Sequence, residues 1–425
     1  MSDVAHRAEP LIRSLMRGEP PVGIEFWDGS SLGPSTPSTK LTIHSPLAFR
    51  RLLWSPSELG LARAYVAGDI DIDGDIYEAL EIRDSLASRR EHLELKLGVR
   101  GRLRLLRLVR DLGILGSPLP RPPEETKLRG RRHSKRRDAG AISHHYDVSN
   151  RFYRWVLGET MTYSCAYFPS PDTSLDDAQR AKYDLICRKL GLERGGRLLD
   201  VGCGWGGMVM HAASNYGVHA VGITVSRSQA DLAAKRVAEA GLADRVEIRL
   251  QDYRDVDDGP YDAISSIGMF EHVGLAQLKR YLVVLFDLVR SGGRLLNHAI
   301  SKPSGRARFA KDSFIARYVF PDGELHEVGS VVTAMQEHGF EVRDVESLRE
   351  HYARTLRSWV ANLESHWDEA VEEIGLARAR IWRLYMAGSA LSFAAGRINV
   401  HQVLGVKPGD RGESGMPPTR ADMLA

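Results

Sequence analysis

The pattern of apolar and polar positions divides the chain into a short first region and a long second one. Up to about residue 96, short alternating runs such as Val22–Trp27 and Lys40–His44 predict the strands of a small α+β module. From Ala141 onward, apolar runs alternate with segments of helical spacing, which predicts a doubly wound, mostly parallel, Rossmann-like α/β sheet. Beyond Tyr352 the apolar residues recur at helical spacing and predict further helices. The runs predicted as strands of this sheet are Arg197–Val201, Val218–Thr224, Val246–Gln251, Tyr261–Ile267, Arg294–Ile300 and Phe340–Val345.

The length of 425 residues is long for one domain, so these patterns are assigned to separate segments. We predict an amino-terminal α+β domain, expected to associate with lipid, over residues 1–115, followed by a basic linker over residues 116–140. The α/β domain then covers residues 141–407. A tail rich in Gly and Pro, residues 408–425, is predicted to be disordered.

The composition is that of an ordinary globular protein, with 43% hydrophobic and 27% charged residues. No apolar run reaches the length of a membrane span, and the first residues lack the apolar core of a secretion signal. The three cysteines have no metal-ligand spacing. Asp69–Gly74 begins like a calcium loop, but Leu80 stands where a bidentate Glu is required. We therefore predict no metal site and a cytoplasmic protein.

Charge is unevenly distributed along the chain. The net charge is +3, yet Arg100–Arg137 contains thirteen Lys and Arg against three acids, a balance of 13 − 3 = +10, which leaves 3 − 10 = −7 elsewhere. One interpretation is a solvated helix followed by a linker. The other is an element that docks on an anionic phospholipid surface, peripheral on the inner face of the membrane. Nucleic-acid binding is not predicted, because no aromatic residues are interleaved for base stacking.

One glycine-rich stretch organises the second region. The apolar run Arg197–Val201 leads directly into glycines 202, 204, 206 and 207, and a segment with helical pattern follows. A strand, a glycine turn and a helix let a nucleotide-like ligand lie against bare backbone. Asp200 precedes the first glycine, and no phosphate-binding Lys is present, which favours S-adenosylmethionine (SAM) over a nucleoside triphosphate. A tight turn without a ligand is the structural alternative.

Ligands of doubly wound sheets lie beyond the carboxyl ends of the strands. At the second strand end, Thr224 and Gln229 can hydrogen-bond the ribose hydroxyls, where many methyltransferases have an acid. At the third, Asp252 can accept from the adenine amine and Tyr253 can cover the ring. Residues at all three ends therefore predict one SAM pocket. The predicted SAM-binding residues at these ends are Asp200, Gly202, Gly204, Gly206, Thr224, Gln229, Gln251, Asp252 and Tyr253.

The second region contains five sequence blocks in a fixed order: His144–Asn150, Met161–Tyr167, Asp200–Gly206, Gln251–Arg254 and Gly268–Gly274. Over roughly residues 141–404 these blocks resemble the signature of the cyclopropane fatty acid synthase family. That family includes mycolic acid cyclopropane synthases and the methyltransferases that make 10-methyl-branched, tuberculostearic-type fatty acids. The amino-terminal stretch Glu58–Gly74 is most similar to the 10-methyl-branching members.

The resemblance implies methyl transfer from SAM to the cis double bond of an oleoyl-type acyl chain on a phospholipid. The product is a carbocation, which must be shielded from water and then lose a proton. In the family a bound bicarbonate ion takes this proton, and Tyr163 and Ser164 resemble contacts to the methionine end of SAM. Each of these residues alone has an ordinary structural explanation. The residues that correspond to the bicarbonate ligands are Cys165, Glu271, His298, Ile300 (through its backbone) and Tyr352.

The same cation can have two fates. A hydride shift followed by proton loss from the added methyl gives a 10-methylene chain, which a separate reductase could convert to a methyl branch. Ring closure gives a cyclopropane instead. We favour the methylene product because of the amino-terminal resemblance, although no single residue decides between the two. Two other functional classes remain open: a small-molecule or nucleic-acid methyltransferase, and a lipid-binding protein without catalysis. The chain could also assemble as a homodimer.

Overall fold

The computed structural model describes residues 3–16, 18–85, 99–126, 137, 149–305, 313–321 and 323–424. The chain divides into two compact units. The first comprises Met1–Lys127, Ala310–Pro321 and Trp367–Gly388, and the second comprises Leu128–Phe309, Asp322–His366 and Ser389–Ala425. Each unit is described below by itself.

The first unit is built on a four-stranded sheet with the order β2-β1-β3-β4. β1 pairs parallel with β3 and antiparallel with β2, and β4 pairs antiparallel with β3. The predicted strands Val22–Trp27 and Lys40–His44 correspond to β1 and β3, and the rejected calcium loop forms β4. The elements are α1 (Val4–Met16), β1 (Gly23–Phe26), β2 (Ser31–Leu32), β3 (Lys40–Ile43), α2 (Leu47–Trp54), α3 (Glu58–Val66), β4 (Ile70–Asp73), α4 (Ile76–Ser85) and α5 (Val99–Asp111), with a π-helical turn at Ile315–Val319.

The boundaries of the first unit differ from the predicted ones. Residues 116–126, predicted as linker, pack on it: Trp54 Nε1 donates to the Gly116 carbonyl at 2.9 Å, and the buried Glu125 carboxylate pairs with Arg63 at 2.8 Å. Residues 367–388, assigned to the α/β domain by sequence, also belong here, because the buried Arg380 pairs with Asp71 at 2.6 Å. Distant segments join through buried ion pairs that a linear pattern does not reveal. Residues 127–136 and 138–140 of the predicted linker lie outside the described residues.

The second unit contains a seven-stranded sheet with the order β10-β11-β9-β8-β5-β6-β7. The strands from β9 to β7 in this order are parallel, and β11 runs antiparallel between β9 and β10. This is the predicted doubly wound, mostly parallel sheet. Its strands are β5 (Arg197–Val201), β6 (His219–Thr224), β7 (Val246–Leu250), β8 (Tyr261–Ile267), β9 (Val289–Ser301), β10 (Glu341–Ser347) and β11 (Asn399–Val406).

Helices flank this sheet, and their amphipathic faces bury its two sides. α15 begins in the first unit and ends in the second. No helix in the described ranges is long and apolar enough to cross a membrane. The helices of the second unit are α6 (Asn150–Leu157), α7 (Leu175–Leu190), α8 (Gly207–Tyr216), α9 (Arg227–Glu239), α10 (Phe270–Val273), α11 (Leu278–Leu288), α12 (Val328–Glu337), α13 (Arg349–Ser365), the end of α15 (Leu376–Ala394) and α16 (Ala421–Leu424), with 3-10 turns at Tyr253–Asp255 and Leu275–Gln277. α14 (Trp367–Ile374) belongs to the first unit.

Two features of the second unit correct the sequence prediction. β11 was not predicted, since only helices were expected beyond Tyr352; it is almost entirely buried between two strands, so it lacks a regular polar face. The tail over residues 408–425 was predicted to be disordered. Instead, Met423 of α16 is buried in the apolar cluster around α7, and Arg420 pairs with Asp344 at 3.0 Å. One apolar anchor and one ion pair hold a segment that its Gly and Pro content would leave disordered.

Candidate active site

A cavity opens at the carboxyl ends of β5, β6, β7 and β8, and the strand order reverses between β5 and β8. The turn after β5 carries Gly202 and Gly204 with φ of +85° and +54°, a backbone conformation that glycine adopts without strain. A Cβ built on Gly204 would meet no atom within 4 Å, so this glycine presents bare backbone to open space. The loop therefore has the shape that a nucleotide-like ligand requires.

The structure brings together all but one of the residues predicted to contact SAM. Gly206 does not line the cavity. It begins α8 with φ of +83°, and a Cβ there would lie 3.3 Å from Ala233 of α9, so packing accounts for this glycine. The predicted residues that do line the cavity are Tyr163, Ser164, Asp200, Gly202, Gly204, Thr224, Gln229, Gln251, Asp252 and Tyr253. Their contacts to SAM stay predictions.

The polar side chains toward β6 and β7 are held by hydrogen bonds within the protein. The Thr224 hydroxyl donates to Gln229 Oε1 at 2.8 Å, which fixes the orientation of the Gln229 amide. Asp252 pairs with Arg254 through two contacts of 2.6 and 2.7 Å. Tyr253 is buried, and the Arg254 guanidinium lies 5.4 Å from its ring centroid. This end of the cavity is preorganised, with hydrogen-bonding groups and an aromatic face of the kind a nucleoside needs.

The cavity lining also contains two buried ionisable groups, Lys182 and Asp200. Lys182 of α7 is fully buried, and its ammonium donates to the Ser164 hydroxyl at 2.9 Å. Asp200, also buried, accepts from the Ser265 hydroxyl at 2.7 Å. Burial lowers the pKa of Lys182 to about 7 and raises the pKa of Asp200 to about 6, because desolvation penalises each charged form. Sequence analysis missed Lys182, although its position four residues after Ala178 and four before Ile186 places it on the buried face of α7.

Beside this cavity lies a second group of polar residues, which we call the Glu271 cluster: Cys165, Glu271, His298, Ile300 and Tyr352. The Ile300 backbone N–H donates to Glu271 Oε1 at 2.6 Å. Gln402 Nε2 donates to His298 Nδ1 at 3.2 Å, an arrangement that leaves the ring proton on Nε2. Glu271 Oε2 and His298 Nε2 are buried and have no hydrogen-bond partner among the described residues. Buried polar atoms of this kind call for a ligand or water.

The backbone joins the remaining members to this cluster. The Cys165 thiol lies 3.6 Å from the Leu348 carbonyl, which also accepts from the Tyr352 N–H at 3.0 Å. Leu348 in turn donates to Val400 of β11, the residue paired with Ile300 of β9. Backbone contacts therefore link Cys165 and Tyr352 to the strands next to Ile300, and that all five residues serve one site stays a prediction. The Ile300 N–H, however, is already engaged by Glu271, so an anion here would depend first on His298.

The cluster is electrostatically unusual. Burial raises the pKa of Glu271 to about 7, while the N–H of Ile300 acts in the opposite direction. Burial also holds the pKa of His298 well below its ordinary value, and that of the Cys165 thiol well above it. Cys165 is therefore a neutral thiol. Other cavity-lining residues that sequence analysis did not identify include Met161, Trp205, Met269, His272 and Gln277.

The sheet, the glycine turn and the cavity define a class I SAM-dependent methyltransferase, and comparisons with known proteins agree. The family model "Mycolic acid cyclopropane synthetase" matches residues 133–403, and a domain of unknown function matches residues 13–89. The chain belongs to this mycolic acid cyclopropane synthetase family, which confirms the resemblance read from the sequence.

Several relatives are similar over nearly the whole chain. A protein of Mycobacterium tuberculosis named "Probable fatty acid methyltransferase" is 45% identical, with 96% of each chain covered. A Pseudomonas putida protein of the same name is 43% identical, with 97% of this chain and 98% of the relative covered. Among solved structures, mycolic acid cyclopropane synthase CmaA1 complexed with SAH and CTAB is 34% identical with a TM-score of 0.59. That match covers 63% of this chain and 97% of the synthase.

Proposed function

We propose that the protein transfers the methyl group of SAM to the cis double bond of an oleoyl-type acyl chain on a phospholipid and releases a 10-methylene chain. The observation that carries this proposal is the Glu271 cluster beside the SAM cavity. Its buried Glu271 Oε2 and His298 Nε2 lack partners among the described residues. A methyltransferase acting on an oxygen or nitrogen nucleophile can release its proton to water, whereas alkene methylation must dispose of a proton away from solvent.

The donor set of the Glu271 cluster fits a small anion. His298 can donate through Nε2, and Glu271 can accept from a hydroxyl through Oε2. Bicarbonate offers both an anionic oxygen and a hydroxyl, so it matches this pair, and when bound it would supply a base close to the acyl chain. Tyr352, which is buried near Leu348, would bound the same space. The low exposure of the whole cluster would keep water from the cation.

SAM supplies an electrophilic methyl group, and the residues of the chain would hold it in place. Thr224, Gln229 and Tyr253 would contact the nucleoside, and the glycine turn would leave room for it. Ser164 and His272 line the SAM cavity and directly adjoin Cys165 and Glu271 in the sequence. The methyl donor and the proton acceptor would thus be served by the same short segments, which suits a reaction in which methyl transfer and proton loss occur at neighbouring carbons.

The relatives favour the methylene product over the cyclopropane. The chain is similar to proteins named fatty acid methyltransferases over 96% and 97% of its length, and it is 35% identical to a "Tuberculostearic acid methyltransferase" over 90% of its length. The cyclopropane mycolic acid synthases match only 58% and 61% of the chain. The amino-terminal region is thus shared with relatives named as fatty acid and tuberculostearic acid methyltransferases. A separate reductase would then convert the methylene group into a methyl branch.

Helix α5 supports a phospholipid as the carrier of the acyl chain. One face of α5 is buried in the first unit, through Leu105, Leu108 and Val109. At 100° per residue, the exposed side presents Val99, Leu103 and Leu106, which are 78%, 50% and 43% exposed, with the exposed Arg110 among them. Exposed arginines, including Arg102 and Arg107, flank this apolar stripe. An apolar stripe bordered by arginines suits the interface of an anionic phospholipid bilayer.

Mass spectrometry of lipids tests the proposal. The purified chain should be incubated with SAM and vesicles containing an oleoyl phospholipid, and the acyl chains released and fragmented. We expect a gain of one CH2 group as an exocyclic methylene at the former double bond. A cyclopropane at the same carbons would assign the alternative chemistry. Methylation of a head group, or of water-soluble acceptors alone, would contradict the proposal.

A further inference from the structure

Lys182 has no assigned role in the site so far. It lines the SAM cavity, it is fully buried, and the hydroxyl of Ser164 is its hydrogen-bond acceptor. In the described part of the chain, no carboxylate lies within ion-pair distance of its ammonium, and Asp200 acts on it only from farther away. A buried ammonium with only a neutral acceptor is unfavourable, so the cavity as built favours a ligand that brings a negative charge.

The charged groups lining the cavity indicate which ligand group this is. Asp252 and Arg254 pair with each other at the nucleoside end. Lys182 and Asp200 are the remaining Lys, Arg, Asp or Glu side chains among the described residues of the lining, and they are not paired with each other. One buried cation beside Ser164 and one buried anion two residues before Gly202 match the carboxylate and ammonium of an α-amino acid.

We propose that Lys182 binds the carboxylate of the methionine moiety of SAM, together with the Ser164 hydroxyl. Asp200, on the facing strand β5, then lies on the side of the ammonium group. The inference rests on SAM being the ligand of this cavity, as in the proposed function. It adds Lys182 as a binding residue. It also predicts that the chain binds ligands with the amino acid carboxylate more tightly than ligands without it.

Two ligands that differ in the amino acid moiety separate this role from a structural one. S-adenosylhomocysteine contains the α-amino acid, whereas 5′-methylthioadenosine keeps the nucleoside and sulfur but lacks it. Calorimetry on the full chain would give both affinities for wild type, Lys182→Met and Lys182→Gln. A charge-assisted hydrogen bond contributes about 1.5–3 kcal/mol, so Lys182→Met should weaken S-adenosylhomocysteine binding about 10- to 100-fold. Binding of 5′-methylthioadenosine should not change.

Lys189 provides a matched control on the same helix. It is also buried, but it pairs with Asp344 at 2.9 Å and does not line the cavity. A folded Lys189→Met variant should keep the wild-type ratio of the two affinities. Equal losses for both ligands in Lys182→Met and Lys182→Gln, or no loss for either, would overturn the inference. A wild-type chain that binds neither ligand would instead contradict the proposed function itself.

Discussion

The SAM cavity and the Glu271 cluster lie side by side in the second unit, yet their polar groups are organised in opposite ways. In the cavity, Thr224 is bonded to Gln229 and Asp252 to Arg254 within the protein. In the cluster, Glu271 Oε2 and His298 Nε2 have no partner among the described residues. The cavity is a preformed binding site, whereas the cluster is complete only with a further group. Substitutions should therefore separate binding of the methyl donor from turnover.

The largest separation is expected at Glu271. Glu271→Ala should lower turnover about 10²- to 10⁴-fold, because a positioned proton acceptor contributes that much. Affinity for SAM should stay at the wild-type value, since Glu271 does not line the cavity. Glu271→Gln is the matched variant: it keeps an acceptor for the Ile300 N–H but removes the carboxylate, and it should lose turnover too. SAM affinity is measured by calorimetry, and turnover is measured on oleoyl phospholipid vesicles. A loss of both SAM affinity and turnover would contradict the separation of the SAM cavity from the Glu271 cluster.

A substitution at Gly204 tests the SAM cavity. Gly204→Ala places a methyl group in open space at the cavity lining, and overpacking of about 1–3 kcal/mol predicts SAM binding weakened about 10- to 100-fold. Gly241 is the matched control, because its φ of +67° is similar and a Cβ there also meets nothing within 4 Å. Both variants carry the same backbone strain, so they should lose similar thermal stability. Unchanged SAM affinity in Gly204→Ala would remove the glycine turn from the binding site.

The smallest expected effect is on membrane binding by α5, which lies outside both the SAM cavity and the Glu271 cluster. Arg107→Ser on the exposed face of α5 should weaken binding to anionic vesicles about fivefold, since an arginine near such a surface contributes about 1 kcal/mol. Affinity for SAM should not change. Arg245→Ser, a partly exposed arginine of the second unit, serves as the control and should bind vesicles like wild type. Cosedimentation at low and high salt measures both. Equal binding by the two variants would leave α5 as a solvated helix.

Much of the second unit could be predicted because its strands carry regular apolar runs and its glycine turn has a fixed physical cause. The four parallel strands β5 to β8 match the predicted runs within a residue. β11 escaped prediction because both of its faces are buried, so its residues show no alternation. Long-range pairs such as Arg63 with Glu125, and Arg380 with Asp71, set the boundaries of the first unit but leave no local pattern.

The residues of the candidate site also fall into those that the sequence predicts and those that it does not. Residues at the strand ends could be placed from the sequence, because parallel strands end at one edge of the sheet. Lys182 could not, because a lysine in a helix normally indicates an exposed face and only tertiary packing buries it. The hydrogen bond from the Ile300 N–H to Glu271 was also unforeseen, and it changes which groups remain for an anion.

The dependence of turnover on bicarbonate is the most direct test of the proposed role of the Glu271 cluster, because that ion is proposed to complete the cluster. Wild-type methyl transfer to an oleoyl phospholipid should be measured in buffer freed of carbon dioxide, with bicarbonate added back in steps. We predict a low initial rate that rises with bicarbonate and saturates, while the affinity for SAM stays constant. A rate that is high at the start and indifferent to added bicarbonate would contradict it.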